Sequence, residues 1–144
     1  MAVGRDEENK IIVYTDGSAL SNGSPTSGCG WAAKLMYNGR SRLKSGGCRG
    51  MTNNQMEMLA VLNALKCIKD RSIPVVIYSD SKYVVETLKG NYRIGKNTEL
   101  WNEILMLYKE FEEIKPVWIK GHNGNPYNEE VDNLAVEESK KWQR

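Results

Sequence analysis

The pattern of apolar and polar residues divides the chain into short strands and longer helical segments. Apolar runs at residues 11–15, 31–37 and 73–78 have the length of strands, and the last is apolar on both faces, as in a covered parallel sheet. Asn38-Gly39 separates residues 31–37 from residues 40–45 and predicts a tight hairpin, because both residues accept positive φ. Residues 117–120 are predicted as a fifth short strand.

Four helices are predicted around these strands. Thr52 and Gln55 have the spacing of a capping box, and the helix that follows, through residue 70, has little solvent face. Ser79 or Asp80 is expected to cap a short helix that runs to residue 90. A longer helix covers residues 98–114 and is ended by Pro116, and residues 131–144 form the last helix. This order predicts one α/β domain over residues 11–144, preceded by a polar tail at residues 1–10.

The composition restricts the partners and the compartment. A net charge of +2 is small for a protein that would hold nucleic acid by electrostatics alone, so an acidic partner must be bound by local geometry. Three cysteines, Cys29, Cys48 and Cys67, fit neither a zinc spacing nor a disulfide framework and predict reduced thiols. The polar N-terminus lacks a signal-peptide core and no apolar run approaches the roughly 20 residues of a membrane span. We expect a cytoplasmic monomer.

Two of the predicted strands end alike, with Tyr, a hydroxyl residue and Asp. The first ends at Asp16 and the other at Asp80. If these strands are parallel neighbours about 4.8 Å apart, their carboxylates face a gap that one Mg²⁺ can bridge with oxygens at about 2.0 to 2.1 Å. The alternative is that Asp16 serves a turn and Asp80 caps a helix. The repeated pattern weakens this alternative without removing it.

Three further residues extend the candidate site. Glu57 is predicted in the first turn of its helix, on an apolar face. A third carboxylate at 4 Å would be repelled by about 4 kcal/mol, more than the roughly 1 kcal/mol of a helix dipole can offset, so such a cluster needs a divalent cation. Asp132 opens the last predicted helix, after a glycine-rich loop that carries the lone histidine, His122. A loop histidine is commonly a surface residue without a functional role, but beside carboxylates it can transfer a proton near neutral pH.

The stretches YTDGS, TNNQMEMLAVLNAL, YSDSKYV and WIKGHNGNPYNEEVDNLA, in this order, resemble those of type 1 ribonucleases H. The resemblance runs from about residue 11 to the last helix. It implies a single ribonuclease H-like α/β domain, with a five-stranded mixed sheet and helices on both faces. It also implies an endonuclease that cleaves the RNA strand of an RNA/DNA hybrid to 5′-phosphate and 3′-hydroxyl ends, using two Mg²⁺ ions for which Mn²⁺ substitutes.

The resemblance also assigns roles to individual residues. Asp16, Glu57, Asp80 and Asp132 match the metal ligands, with Asp16 bridging both ions, and His122 matches a loop histidine that shuttles protons or aids product release. The implied contacts with the hybrid are Asn22, Thr52, Asn53, Asn54, Gln55 and Lys82. Amide and hydroxyl side chains suit this task because they can both donate to and accept from a 2′-hydroxyl.

The chain departs from that family in three respects. Lys82 stands where many relatives have glutamine, which replaces a minor-groove contact by a phosphate contact. The segment after the second helix is too short for the basic protrusion of several bacterial members. It offers only three basic residues in place of that protrusion, Lys89, Arg93 and Lys96. We also expect no separate hybrid-binding domain before residue 11. We therefore expect weak, salt-sensitive binding of the hybrid.

Two other functions compete with the nuclease. A hybrid-binding module without catalysis would have lost a metal position, and none of the four is replaced. A phosphotransferase is suggested by the strand followed by Asp16-Gly17-Ser18, but aspartyl-phosphate phosphatases need a second Asp before this turn. We also predict that the tryptophans pack in the core rather than stack on bases: Trp31, Trp101, Trp118 and Trp142.

Overall fold

The structure, a computed structural model, describes residues 9–143. The strands are β1 Ile11–Ala19, β2 Gly28–Tyr37, β3 Arg40–Arg49, β4 Val75–Ser79 and β5 Ile114–Trp118. The helices are α1 Asn53–Lys66, α2 Lys82–Leu88, α3 Thr98–Tyr108 and α4 Pro126–Trp142. The predicted element order and the α/β class are confirmed. Most of the predicted tail lies outside the described residues, and its separation from the domain stays a prediction.

The five strands form one mixed sheet with the order β3-β2-β1-β4-β5. β1, β2 and β3 are antiparallel neighbours, whereas β4 runs parallel to both β1 and β5. In the β1–β4 ladder Tyr14 lies opposite Tyr78 and Thr15 opposite Ser79. The two strands predicted to end together are therefore adjacent and in register.

Helices cover both faces of this sheet. On one face α1 and α3 enclose the larger core, in which Val13, Ile77 and Trp101 are almost fully buried. On the other face α4 packs on a smaller cluster that includes Tyr14 and Ala32. The alternation of side chains along β1 thus divides its residues between two cores, as expected for a sheet that is covered on both sides.

The capping box at the start of α1 is confirmed. Thr52 is the N-cap, its hydroxyl accepts from the amide of Gln55, and the Gln55 side chain accepts from the amide of Thr52. Glu57 lies in the second turn of α1 rather than the first, because the helix begins at Asn53. The helix stops at Lys66, four residues before the predicted end.

Three other predicted boundaries are wrong. Ser81 caps α2, since its hydroxyl accepts from Val84, whereas the Ser79 hydroxyl is already occupied by the amide of Ser81. α3 ends at Tyr108, and the apolar period continues through a turn into β5. Pro116 lies inside β5, which tolerates it because an edge strand leaves one side of its backbone unpaired.

The last helix starts five residues earlier than predicted. Pro126 occupies its first turn, where the missing amide is no loss, and Asn125 caps it by accepting from the amides of Tyr127 and Asn128. Asp132 consequently lies in the second turn of α4 instead of opening the helix.

The tryptophan prediction is correct for two residues and wrong for the other two. Trp101 is fully buried and Trp31 packs, partly buried, on a core cluster. Trp118 and Trp142 keep 43% and 39% of their surface exposed, because they lie at the end of the edge strand and in the last turn of α4.

Gly30 sets the distance between the sheet and α4. A Cβ atom on Gly30 would overlap the carbonyl oxygen of Ala135. We expect Gly30→Ala to lower the free energy of unfolding by about 2 to 3 kcal/mol, because α4 must shift away. Gly95 is a matched control, since a Cβ there meets nothing within 4 Å. Urea unfolding that finds Gly30→Ala and Gly95→Ala equally stable would contradict this packing constraint.

Candidate active site

Asp16 and Asp80 are brought together by the parallel pairing of β1 and β4. Asp16 lies within β1, and Asp80 follows directly after β4, one residue beyond the last register pair of the ladder. Asp16 is 3% exposed and accepts a hydrogen bond from the amide of Gly17 at 2.9 Å. The carboxyl ends of these strands therefore present two acids at one edge of the sheet, as the repeated sequence pattern predicts.

Gly17 allows the third acid to approach. A Cβ atom at Gly17 would overlap the backbone of Met56 and Glu57, so only glycine lets α1 cross β1 this closely. The crossing places the Glu57 carboxylate beside those of the two aspartates. One carboxylate oxygen from each of Asp16, Glu57 and Asp80 lies within 4.8 Å of the others.

The proximity of these acids is unfavourable without a cation. Burial, followed by the negative charge of Asp80, raises the pKa of Asp16 to about 8. Burial and then the charge of Asp16 also raise the pKa of Glu57 well above its usual range. For Asp80 burial is again the largest cause of a raised pKa, and the charge of Asp132 adds to it. All three shifts mean that the folded protein resists the fully ionised cluster.

The oxygen atoms of the cluster suit a hard divalent cation. The Glu57 Oε1 atom is buried and has no hydrogen-bond partner among the described residues. None of the ion pairs formed by residues 9–143 involves Asp16, Glu57 or Asp80. An unpaired buried carboxylate oxygen is costly, whereas carboxylates are the preferred protein ligands of Mg²⁺ and Ca²⁺. The residues present therefore fit a bound metal ion.

Asp132 and His122 lie at the margin of this cluster. Asp132 is partly buried on α4 and lies near enough to Asp16 and Asp80 to raise the pKa of both. His122 is exposed and adopts a φ of 55°. In contrast to Asp132, it lowers the pKa of Asp80. Its loop passes close by, since a Cβ atom on Gly121 would lie 2.8 Å from Asp80 Oδ2.

Asn128 is a site residue that the sequence interpretation missed. It is 2% exposed, and its side chain lies close enough to the Asp80 carboxyl to lower the pKa of Asp80, which partly offsets the rise caused by burial. Its Oδ1 atom is buried without a hydrogen-bond partner among the described residues. Asn128 lies four residues before Asp132, so both are on one face of α4. This i, i+4 relationship could be recognised from the sequence only if the helix were predicted to begin at Pro126.

Four of the residues predicted to contact nucleic acid line a single polar groove. The groove encloses about 380 Å³ and is lined by Asn22, Thr52, Asn53, Asn54, Lys96 and Asn97. Lys96 and Asn97 enter it from the short connection before α3, so this connection contributes a cation and an amide to the groove. Residues 89–97, between α2 and α3, contain no helix, in agreement with the predicted absence of a basic protrusion.

Hydrogen bonds inside the protein hold the groove in shape. The Asn22 side chain accepts from the amide of Asn53 at 2.7 Å, and the Asn53 side chain accepts from the amide of Ala19 at 2.8 Å. Gln55 donates to Asn97 at 3.2 Å and does not line the groove. Asn54 is exposed, and its side chain makes no hydrogen bond with another residue of the range 9–143.

Lys82 lies at the start of α2 and does not line the groove. Its side chain is exposed, and its Nζ atom is 5.8 Å from the centre of the Trp118 ring. The Trp118 indole donates to the carbonyl oxygen of Asp80 at 3.1 Å. Trp118 thus links the lysine to the backbone of a cluster residue.

The profile of the RNase H family matches residues 8–140. Over 141 residues the chain is 40% identical to ribonuclease H of Helicobacter acinonychis, covering 92% of this chain and 95% of that relative. Over 138 residues it is 41% identical to ribonuclease H of Xanthomonas campestris, covering 87% of this chain and 89% of that relative. The chain belongs to the RNase H family, whose members are metal-dependent hydrolases.

Solved structures share this fold. The N-terminal RNase H domain of a Mycobacterium tuberculosis protein superposes with a TM-score of 0.80 at 21% identity, covering 92% of this chain and 94% of that domain. LC11-RNase H1, solved in complex with an RNA/DNA hybrid, superposes with a TM-score of 0.77 at 26% identity, covering 92% of this chain and 98% of that one. No helix within residues 9–143 has the length and apolar character needed to cross a membrane.

The raised pKa of Asp16 makes the stability of the metal-free protein depend on pH. Folding favours the protonated acid, so this contribution is complete below the ordinary pKa of 3.8 and is lost as the pH rises through about 8. In Asp16→Asn the side chain at position 16 is uncharged at every pH. In chelator we expect its free energy of unfolding to exceed that of the wild type near pH 8 by on the order of 1 to 3 kcal/mol, and to exceed it less as the pH falls.

Urea unfolding at several pH values measures this difference. Glu137→Gln, which removes an exposed acid from α4, is the control and should follow the wild-type profile. If Asp16→Asn also follows that profile, Asp16 is not held in a repulsive, buried cluster.

Proposed function

We propose that this protein is an endoribonuclease that hydrolyses the RNA strand of RNA/DNA hybrids and leaves 5′-phosphate and 3′-hydroxyl ends. Two divalent ions, Mg²⁺ with Mn²⁺ as a substitute, would be held by Asp16, Glu57, Asp80 and Asp132. The observation that carries the proposal is the cluster of three carboxylates within 4.8 Å, with the buried and unpaired Oε1 atom of Glu57. Membership of the RNase H family supports the choice of substrate.

We assign the following roles to the chain's own residues. When bound, the ions supply the activation of water and the neutralisation of phosphate charge that phosphodiester hydrolysis requires. Asn128, buried beside Asp80, favours the ionised form of its carboxyl. Trp118 holds the Asp80 backbone by donating to its carbonyl oxygen. His122, exposed on its loop beside Asp80, gives or takes a proton at its imidazole as the product leaves.

Recognition of the hybrid is assigned to the polar groove and to Lys82. A wide minor groove with 2′-hydroxyls is read by side chains that donate and accept, and Asn22, Asn54 and Thr52 line the polar groove for this purpose. Thr52 lies at the N-terminus of α1, where backbone amides favour a phosphate of the DNA strand. Lys82 is expected to contact a backbone phosphate rather than a base. The cytoplasmic location and the monomeric state remain predictions.

The proposal is tested with end-labelled RNA/DNA hybrid, RNA duplex, DNA duplex and single strands, each with Mg²⁺, Mn²⁺ or chelator. Metal-dependent cleavage of RNA in the hybrid alone is the expected result. Binding of the hybrid without cleavage under either metal would instead identify a non-catalytic hybrid-binding module of the same fold.

We expect Asp80→Asn and Asp16→Asn each to abolish cleavage while the fold is retained, because each removes a charged oxygen ligand from the cluster. Asp70→Asn is the matched control, since Asp70 is exposed at the end of the turn after α1 and should leave cleavage unchanged. Rates are measured with hybrid and Mg²⁺, and far-UV circular dichroism verifies folding. Full activity of either cluster variant would overturn the site assignment.

His122→Ala is expected to slow turnover by roughly 10²-fold, the lower end of what a positioned acid or base contributes. Cleavage should remain detectable, because the carboxylate cluster is untouched. Asn123→Ala, on the same loop and also exposed, is the control and should be close to wild type. Steady-state rates that show complete loss, or no loss, for His122→Ala would contradict the assigned role.

A further inference from the structure

Cys29 and Cys48 face each other across the β2–β3 ladder. They are direct partners in the antiparallel register. Opposed residues in such a ladder have Cα atoms about 4.5 or 5.5 Å apart, and both separations lie within the roughly 4.4 to 6.8 Å that a disulfide spans. Both side chains belong to one cluster under α1, together with Met56. The spacing of the cysteines along the chain did not reveal this pair.

We propose that Cys29 and Cys48 are a redox-active thiol pair, and that their oxidation to a disulfide loosens the segments that form the polar groove. Both cysteines are free thiols in this structure. The consequence for nucleic-acid binding rests on the proposed function, whereas the formation of the disulfide does not.

The two thiols differ in access to an oxidant. Cys29 has no exposed surface, while Cys48 is partly exposed on β3, an edge strand of the sheet. Burial, and then the neighbouring Cys29, raise the pKa of the Cys48 thiol, so its reactive thiolate becomes abundant only at alkaline pH. Cys48 is therefore the thiol that meets an external oxidant, and Cys29 is the thiol that resolves the product.

A small-molecule disulfide is a sufficient oxidant. The Cys48 thiolate attacks one of its sulfur atoms, forms a mixed disulfide and expels one small thiol. The Cys29 thiolate then attacks the Cys48 sulfur, closes the protein disulfide and expels the second small thiol. The protein loses two protons and two electrons, and the small disulfide gains them.

Hydrogen bonds connect this pair to the groove. The Cys29 sulfur accepts from the amide of Met51 at 3.4 Å, and its S–H is within reach of the carbonyl oxygens of Ser27 at 3.4 Å and Met51 at 3.5 Å. The Met51 carbonyl oxygen in turn accepts from the amide of Gly23 at 3.1 Å. Met51 precedes the cap Thr52, and Gly23 follows Asn22, so both flank residues that line the groove.

Oxidation changes these bonds directly. The S–H of Cys29 is lost, so it can no longer donate to the carbonyl oxygens of Ser27 and Met51. Its sulfur must also move to within about 2.0 Å of the Cys48 sulfur, which disturbs the bond that it accepts from the Met51 amide. The contact of the Cys48 sulfur with Met56 Sδ, at 3.9 Å, is lost as well. Residues 20–27 and 50–54 are therefore held less firmly in the oxidised protein.

Cys67 provides an internal control. It follows the last residue of α1, eleven residues after Met56, which corresponds to about 16 Å along a helix. It cannot reach the pair. Cys67→Ser therefore leaves the pair as the protein's two thiols, and Cys67→Ser with Cys48→Ser removes the proposed bond.

The test treats both variants with oxidised glutathione at alkaline pH and digests them with trypsin under non-reducing conditions. Lys34, Arg40, Arg42 and Lys44 are cleavage sites between the two cysteines, so the disulfide would join two tryptic peptides. We expect the joined peptides from Cys67→Ser, with the mass of two hydrogens missing, and not from the double variant. Recovery of the two peptides unlinked, or only as glutathione adducts, would overturn the proposal.

The effect on the groove is read in two ways. Hydrogen exchange of residues 20–27 and 50–54 should speed up on oxidation of Cys67→Ser and revert with reductant, and it should not change in the double variant. Affinity for an RNA/DNA hybrid, measured in chelator, should fall by about tenfold, the size of an ordinary coupling between two sites. Unchanged exchange in the disulfide-linked protein would overturn the coupling.

These readouts separate the two proposals. If the reduced protein binds no hybrid, the proposed function fails, and the linked peptide and the exchange rates still decide whether the thiol pair exists and acts on the groove.

Discussion

The packing of α1 against β1 at Gly17 is the constraint on which the site depends. Because Gly17 has no side chain, the backbone of Met56 and Glu57 approaches the strand closely, and Glu57 meets Asp16 and Asp80. Repulsion and burial oppose this arrangement, as the raised pKa values of all three acids show. In the absence of a cation the cluster destabilises the fold, and packing elsewhere must offset this cost.

That stability comes from two separate cores on the faces of the sheet. The larger core beneath α1 and α3 holds the strand that carries Asp16, and α4 clamps the other face through its contacts with β1, β2 and β3. α4 also brings Asn128 and Asp132 to the cluster. The same helix thus closes the second core and completes the acidic site, which couples the integrity of the site to the packing of the whole sheet.

The polar groove depends on a different kind of order. Its residues lie on loops and helix ends, and they are positioned by hydrogen bonds such as those of Asn22, Asn53 and the Cys29 thiol rather than by buried apolar surface. Such segments open more easily than a core does. The proposed oxidation of the cysteine pair beneath them is therefore expected to act on the groove.

Local sequence determined the strands, the Thr52 cap and the pair of strand-end acids, because period, capping and turn chemistry act over a few neighbouring residues. The end of α3 was misplaced because the apolar period continues through the turn that follows the helix. Pro116 was misplaced because a strand accepts proline only at the edge of a sheet, and the order of the strands is not visible in the sequence. Sequence reasoning also missed the place of Asn128 in the site and the juxtaposition of Cys29 and Cys48. Contacts between residues far apart in the chain are set by register and helix packing, which only the tertiary structure decides.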